Sequence, residues 1–277
     1  MISIFSFPRS GSTWFLESLN TIEGIDICNE PVYGLRGHRI ERWLGNRHST
    51  FFEGKGAYRG DYMQPTPSAN MQDNMPKLFE DLGEHKWGHN GFKEVYLCYK
   101  IPLALEGLRA GGAEPRVIHL WRGFDGVAAS FAKRDFWFWV VQTFDSQREG
   151  SKGTAAEAIY HLFDPKDDLE TLFLIWLAAT CQDARDVEEA GGQSILFDDL
   201  ADEIDKDVRW PDILAKIGFP RRRPDLSARG WETMRVARNV EGFRALKAER
   251  LKRLRDTARP LAQELEHGES LLRILEA

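Results

Sequence analysis

The sequence predicts an α/β fold: a parallel β-sheet flanked by helices, in a single domain over residues 1–277 with a helical C-terminal part. Three observations predict it. Strand-like apolar runs alternate with helix-like segments, the pattern of a parallel sheet covered on both faces. No internal repeat and no low-complexity linker divides the chain. Its 277 residues, 42% hydrophobic and 29% charged, suffice for one large core.

The elements follow in order. Ile2, Ile4, Phe5 and Phe7 mark a first strand over about 2–7, and Trp14, Leu16 and Leu19 a helix over about 12–20. Residues 21–75 are rich in Gly, Asn, Pro and Arg and read as irregular; connections that long usually carry binding function. Residues 91–97 form the second strand and Ile101 to Ala110 the next helix, with Pro102 near its start. Arg116 to Trp121 is the third strand, and 124–134 the third helix. A long amphipathic helix fits 167–190, where Leu169, Leu172, Phe173, Trp176, Leu177 and Thr180 share a face. Residues 194–197 form the fourth strand, and from Trp210 the chain reads as helical apart from a basic stretch at 221–239.

Composition excludes several classes. A net charge of −6 argues against broad binding to nucleic acid. Cys28, Cys98 and Cys181 are few, odd in number and widely spaced, so neither a disulfide framework nor a zinc pattern is expected, and each reads as a small buried residue. No signal peptide pattern opens the chain and no apolar run reaches the length of a membrane span. A cytoplasmic location is therefore expected.

Pro8, Arg9, Ser10, Gly11, Ser12 and Thr13 join the first strand to its helix. Amides at a helix N-terminus and the positive end of its dipole make an anion site. The hydroxyls at 10, 12 and 13 and the Arg9 guanidinium add donors around one phosphate. The loop matches a P-loop in length: with Gly11 as the second glycine of G-x-x-x-x-G-K-[ST], Ser6 stands at the first glycine, Ser12 at the lysine and Thr13 at the last position. The fold is thus expected to be P-loop-type, but the lysine is gone and the cation is Arg9. No acidic strand end marks a metal-bridged triphosphate; the third strand ends in Trp121-Arg122. Direct anion binding without a metal follows. A second donor set comprises Arg122 and, eight residues on, Ser130 in the following helix; a guanidinium fork with a hydroxyl suits a second phosphate. Ligands of such sheets sit beyond the carboxyl ends of the strands, so Arg9 and Arg122 are expected to face one crevice.

These segments resemble the sulfotransferases that use 3′-phosphoadenosine-5′-phosphosulfate (PAPS). Pro8-Arg-Ser-Gly-Ser-Thr-Trp14 is similar to their 5′-phosphosulfate loop, and Arg122 with Ser130 matches the spacing of their 3′-phosphate site. Ile195-Leu-Phe-Asp-Asp-Leu200 resembles a third segment that usually reads Tyr-Glu-Asp-Leu; Phe197 replaces the tyrosine, so its hydroxyl contact to the cofactor is lost. Gly24 to Tyr33, with Asn29-Glu30-Pro31, resembles a segment of the carbohydrate branch. The resemblance covers roughly 1–35 and 115–200.

It implies transfer of a sulfuryl group from PAPS to a hydroxyl or amine, releasing PAP, with no metal. Arg9, Ser10, Gly11, Ser12 and Thr13 would hold the 5′ end, and Trp14 would stack on adenine. Arg122 and Ser130 would take the 3′-phosphate, with Phe197 nearby. Glu30 would be the general base, with His89 and Glu94 in reserve; Val95 stands where the small-molecule branch has its histidine. Lys93 would touch sulfate or acceptor. Among Arg221, Arg222, Arg223, Arg229, Arg235 and Arg238, one or two would close the 3′-phosphate site. The acceptor is a sugar or other small alcohol, and Phe131, Phe136, Trp137, Phe138 and Trp139 either line its pocket or pack the core. The last helices suit packing on the domain or pairing in a homodimer. Two rival readings stay open: a P-loop kinase of a small metabolite, and a non-catalytic nucleotide-binding module.

Overall fold

The computed structural model describes residues 1–30, 69–84, 89–95, 97–134, 137–154, 156–202, 210–220, 222, 224–225, 231–261 and 268–276. In chain order these form β1 (Ile2–Ser6), α1 (Ser12–Leu19), β2 (Ile27–Asn29), α2 (Ala69–Gly83), β3 (Gly91–Glu94), α3 (Ile101–Ala110), β4 (Arg116–Trp121) and α4 (Phe124–Arg134). Then come α5 (Trp137–Gly150), α6 (Glu157–Tyr160), α7 (Asp168–Glu189), β5 (Gln193–Leu196), α8 (Phe197–Asp202), α9 (Trp210–Lys216), α10 (Trp231–Ala258) and α11 (Gly268–Glu276).

The five strands lie in the order β2-β3-β1-β4-β5, and every pairing is parallel. Side chains alternate across a strand, so each strand feeds two cores. Ile2, Ile4, Ile118, Leu120 and Ile195 pack with α1 and α9 on one face. Phe5, Phe92, Val117 and Trp121 pack with α3, α4 and α7 on the other. Residues of α7 from Leu169 to Thr180 are buried throughout, and Asp167 caps it by accepting from the amides of Leu169 and Glu170. The chain leaves β1 toward β2 but leaves β4 toward β5. The carboxyl ends of β1 and β4 therefore flank the switch point of the sheet, where α/β folds place ligands.

The helices read over 101–110 and 124–134 and the strand over 116–121 stand where expected. Three elements differ. β2 and α2 occupy ground read as irregular, and α10 begins at Trp231, inside the stretch read as non-helical. The α2 helix survives an internal Pro76 because it packs closely on α3, where Gly107 lies against the Pro76 carbonyl and the Phe79 side chain. Among the described residues no helix is long and apolar enough to cross a membrane. Cys98 is buried, Cys28 and Cys181 are only partly so, and all three are free thiols.

Two buried polar residues are structural. His119 in β4 meets Ser194 in β5 through Nδ1 at 3.0 Å, and burial lowers its pKa to about 3, so it is neutral. Asp183 in α7 accepts a 2.9 Å hydrogen bond from the amide of Tyr99, whose φ of 68° is left-handed. Burial pushes the Asp183 carboxyl up to about 8; the Tyr99 amide opposes the rise and the Asp186 charge reinforces it. A free aspartate titrates near 4, so between about pH 4 and 8 the folded chain keeps a proton that the unfolded chain has lost. This contribution to stability is whole below about pH 4 and is lost as pH rises through about 8. Asp183→Asn keeps an acceptor for Tyr99 but cannot ionise. Chemical denaturation from about pH 5 to 8.5 is expected to show wild type losing stability relative to this variant, by on the order of a few kcal/mol. A difference that stays constant with pH would contradict the assignment.

Candidate functional site

The loop after β1 turns sharply. Ser10 donates its amide to the Phe7 carbonyl at 3.3 Å, and Arg9 and Gly11 take left-handed φ values of 71° and 82°. Gly11 stands at the N-cap of α1, and no side chain among the described residues caps that helix. The first amide bonded back is that of Phe15, to the Gly11 carbonyl at 3.1 Å. The amides of Ser12, Thr13 and Trp14 precede that bond and form the donor end of the helix. The Ser6 and Ser10 hydroxyls, earlier in this segment, are buried and have no hydrogen-bond partner among the described residues. An uncapped helix start preceded by buried hydroxyls suits an anion with several acceptor oxygens.

The second donor set lies across the switch point. Arg122, buried at the end of β4, approaches Asp198 Oδ1 through Nε at 3.4 Å. The Gly123 amide, just before α4, donates to Asp198 Oδ2 at 3.0 Å. Burial pulls the Arg122 pKa below its ordinary value; the Asp198 carboxylate opposes this and Arg244 adds to it. The Phe197 ring lies 5.2 Å beneath the guanidinium. The same ring fills the space beside Gly11, where any Cβ would overlap it. Phe197 therefore joins the two donor sets.

Partners differ from those expected. Ser130 accepts a 2.9 Å bond from Arg9 Nε, and Arg122 pairs with Asp198. Thr13 is exposed, whereas Ser12 is buried. Trp14, expected to stack on adenine, is buried, with its plane edge-on to Phe197 at 5.5 Å and against Trp210 at 6.1 Å. Its place on the inner face of α1 makes it a core residue.

Glu30 follows β2 with a φ of 48°, its amide bonded to the Lys93 carbonyl at 2.7 Å. Lys93, fully buried in β3, reaches Glu30 Oε1 with Nζ at 2.5 Å. Lys93 pairs in register with Ile4, so it points to the face that carries α1. Glu94 is buried on the opposite face, and His89 is drawn to Asp26 at 2.9 Å. Polar groups thus stand at the carboxyl ends of all five strands: Glu30, Lys93, the Arg9–Thr13 loop, Arg122 and Asp198.

The C-terminal contact comes from residues that the sequence did not single out. Arg244 and Arg255 of α10 hold Asp125, in the first turn of α4, at 2.7 and 2.5 Å. Of the expected cluster, Arg222 pairs with Glu23; Arg221, Arg223 and Arg229 lie outside the described residues, as do the side chains of Arg235 and Arg238. Phe131 stacks on Phe7 and tilts against Trp137, which favours core packing for both. Phe136 and the side chains of Phe138 and Trp139 lie outside the described residues. Asp198 was legible as the acid after Phe197, but only folding brings it to Arg122. No family model matches the chain, and no curated protein and no solved structure matches it.

Gly11→Ala is expected to cost about 2–5 kcal/mol, from the left-handed backbone and the displaced Phe197 ring. Urea denaturation measures it, and a loss under about 1 kcal/mol would mean that the close approach is not a constraint.

Proposed function

We propose that the chain is a PAPS-dependent sulfotransferase of the P-loop type. The observation that carries this reading is the pair of donor sets flanking one switch point. The uncapped start of α1, with Arg9 and two serine hydroxyls that have no partner among the described residues, suits the 5′-phosphosulfate. Arg122 with the Gly123 amide suits a separate 3′-phosphate. The loop lacks a P-loop lysine, which favours direct binding of a sulfonated nucleotide over a metal-bridged triphosphate. A small alcohol or sugar is the acceptor in this reading, and the cytoplasm its place.

In the proposed reaction the acceptor oxygen attacks sulfur as the bond to the bridging phosphate oxygen breaks, and PAP leaves. Glu30 takes the acceptor proton. Lys93 fixes Glu30 through Oε1, so Oε2 is the oxygen that receives it. Arg9 and the amides of Ser12 and Thr13 stabilise the charge that builds on the leaving phosphate. Ser130 orients Arg9 by accepting from its Nε.

PAP at about 100 times its Kd is expected to stabilise the protein by roughly 2.7 kcal/mol, a rise of several degrees in Tm, with Mg-ATP giving no comparable shift. Stabilisation by Mg-ATP alone would favour a kinase. Glu30→Gln is expected to lower turnover by about 10²–10⁴ with PAP affinity nearly unchanged; a loss below about threefold would remove Glu30 from the role. Arg122→Ala should weaken PAPS far more than adenosine 5′-phosphosulfate, which lacks the 3′-phosphate. Equal weakening of both donors would make Arg122 structural.

A further inference from the structure

We propose that Asp198 is a built-in stand-in for the second phosphate, a carboxylate that fills the Arg122 socket and yields it only to a dianion. The inference rests on the nucleotide reading above. Its two oxygens take the Arg122 Nε and the Gly123 amide, the positions that a phosphate would claim. The Arg122 contact is long, at 3.4 Å, against about 2.7–2.9 Å for a strong charge-assisted bond. The two partners are unequally held. The Arg122 side chain is 7% exposed, wedged on Phe197, whereas that of Asp198 is 37% exposed. The carboxylate can swing into solvent; the guanidinium cannot.

The consequence is discrimination. A ligand without a second phosphate leaves Asp198 in place and gains nothing at Arg122. A phosphate monoester, with a charge near −2 and three acceptor oxygens, outcompetes a single carboxylate for one guanidinium and one amide. The charge of Asp198 also keeps the buried Arg122 paired whenever the socket holds no phosphate, which avoids an uncompensated buried cation.

Calorimetry with PAP and with AMP, on wild type and Asp198→Asn, tests this. Removing the competing charge is expected to tighten PAP about 5–50-fold and to leave AMP within about twofold. Asp198→Ser replaces Asp198→Asn should the latter not fold. PAP binding that is weakened in the variant means that Asp198 braces Arg122 for the ligand, and overturns the inference; unchanged PAP affinity overturns it too. Both of those outcomes leave the nucleotide reading intact. PAP binding to neither protein overturns that reading and this inference with it.

Discussion

The contact on which the site depends is the packing of one aromatic ring, Phe197, between a glycine and an arginine. The ring occupies the space that a side chain at residue 11 would need, and it supports the Arg122 guanidinium from below. Gly11 meets that demand twice over, by having no Cβ and by tolerating a φ of 82°. Without that turn α1 would not begin at Ser12, directly after Gly11. The strand order then does the rest: β1 and β4 are neighbours whose chains depart in opposite directions, which brings both loops to the switch point of the sheet.

Around the switch point, buried charges among the described residues are paired. Lys93 is enclosed but held to Glu30, Arg122 to Asp198, and Asp125 to Arg244 and Arg255. Removing the carboxylate beside Lys93 or Arg122 leaves a buried cation without its counter-charge. The last of these pairings ties α10 to the first turn of α4, directly behind Arg122. In consequence the long C-terminal helix contributes to the second donor set through Asp125, even without reaching a ligand itself.

Much of the frame was legible because strong periodicity and local signals agree. Arg116–Trp121 and Phe124–Arg134 are short, apolar and cleanly bounded, and Asp167 announces the start of α7. β2 escaped notice because three residues give too short a pattern, and α2 because Asn70, Asp73, Asn74 and Pro76 contradict local helix preference until α3 covers it. The tight turn from β1 into α1 was legible too, since Gly11 and its neighbouring serines are contiguous. Partner choice was not. Arg9 finds Ser130 across 121 positions and Lys93 finds Glu30 across 63, and nothing in one sequence distinguishes Ser130 near Arg9 from Ser130 near Arg122. Trp14 illustrates the same limit: a tryptophan in the first turn of a helix can face a ligand or the core, and its burial against Phe197 and Trp210 appears only in the fold.

A crystal structure of the protein with PAP tests the central claim most directly. The account places the 5′-phosphate against the amides of Ser12 and Thr13 and the 3′-phosphate on Arg122, in one continuous cleft. PAP bound elsewhere, or with only one of its phosphates engaged by these two donor sets, would contradict it.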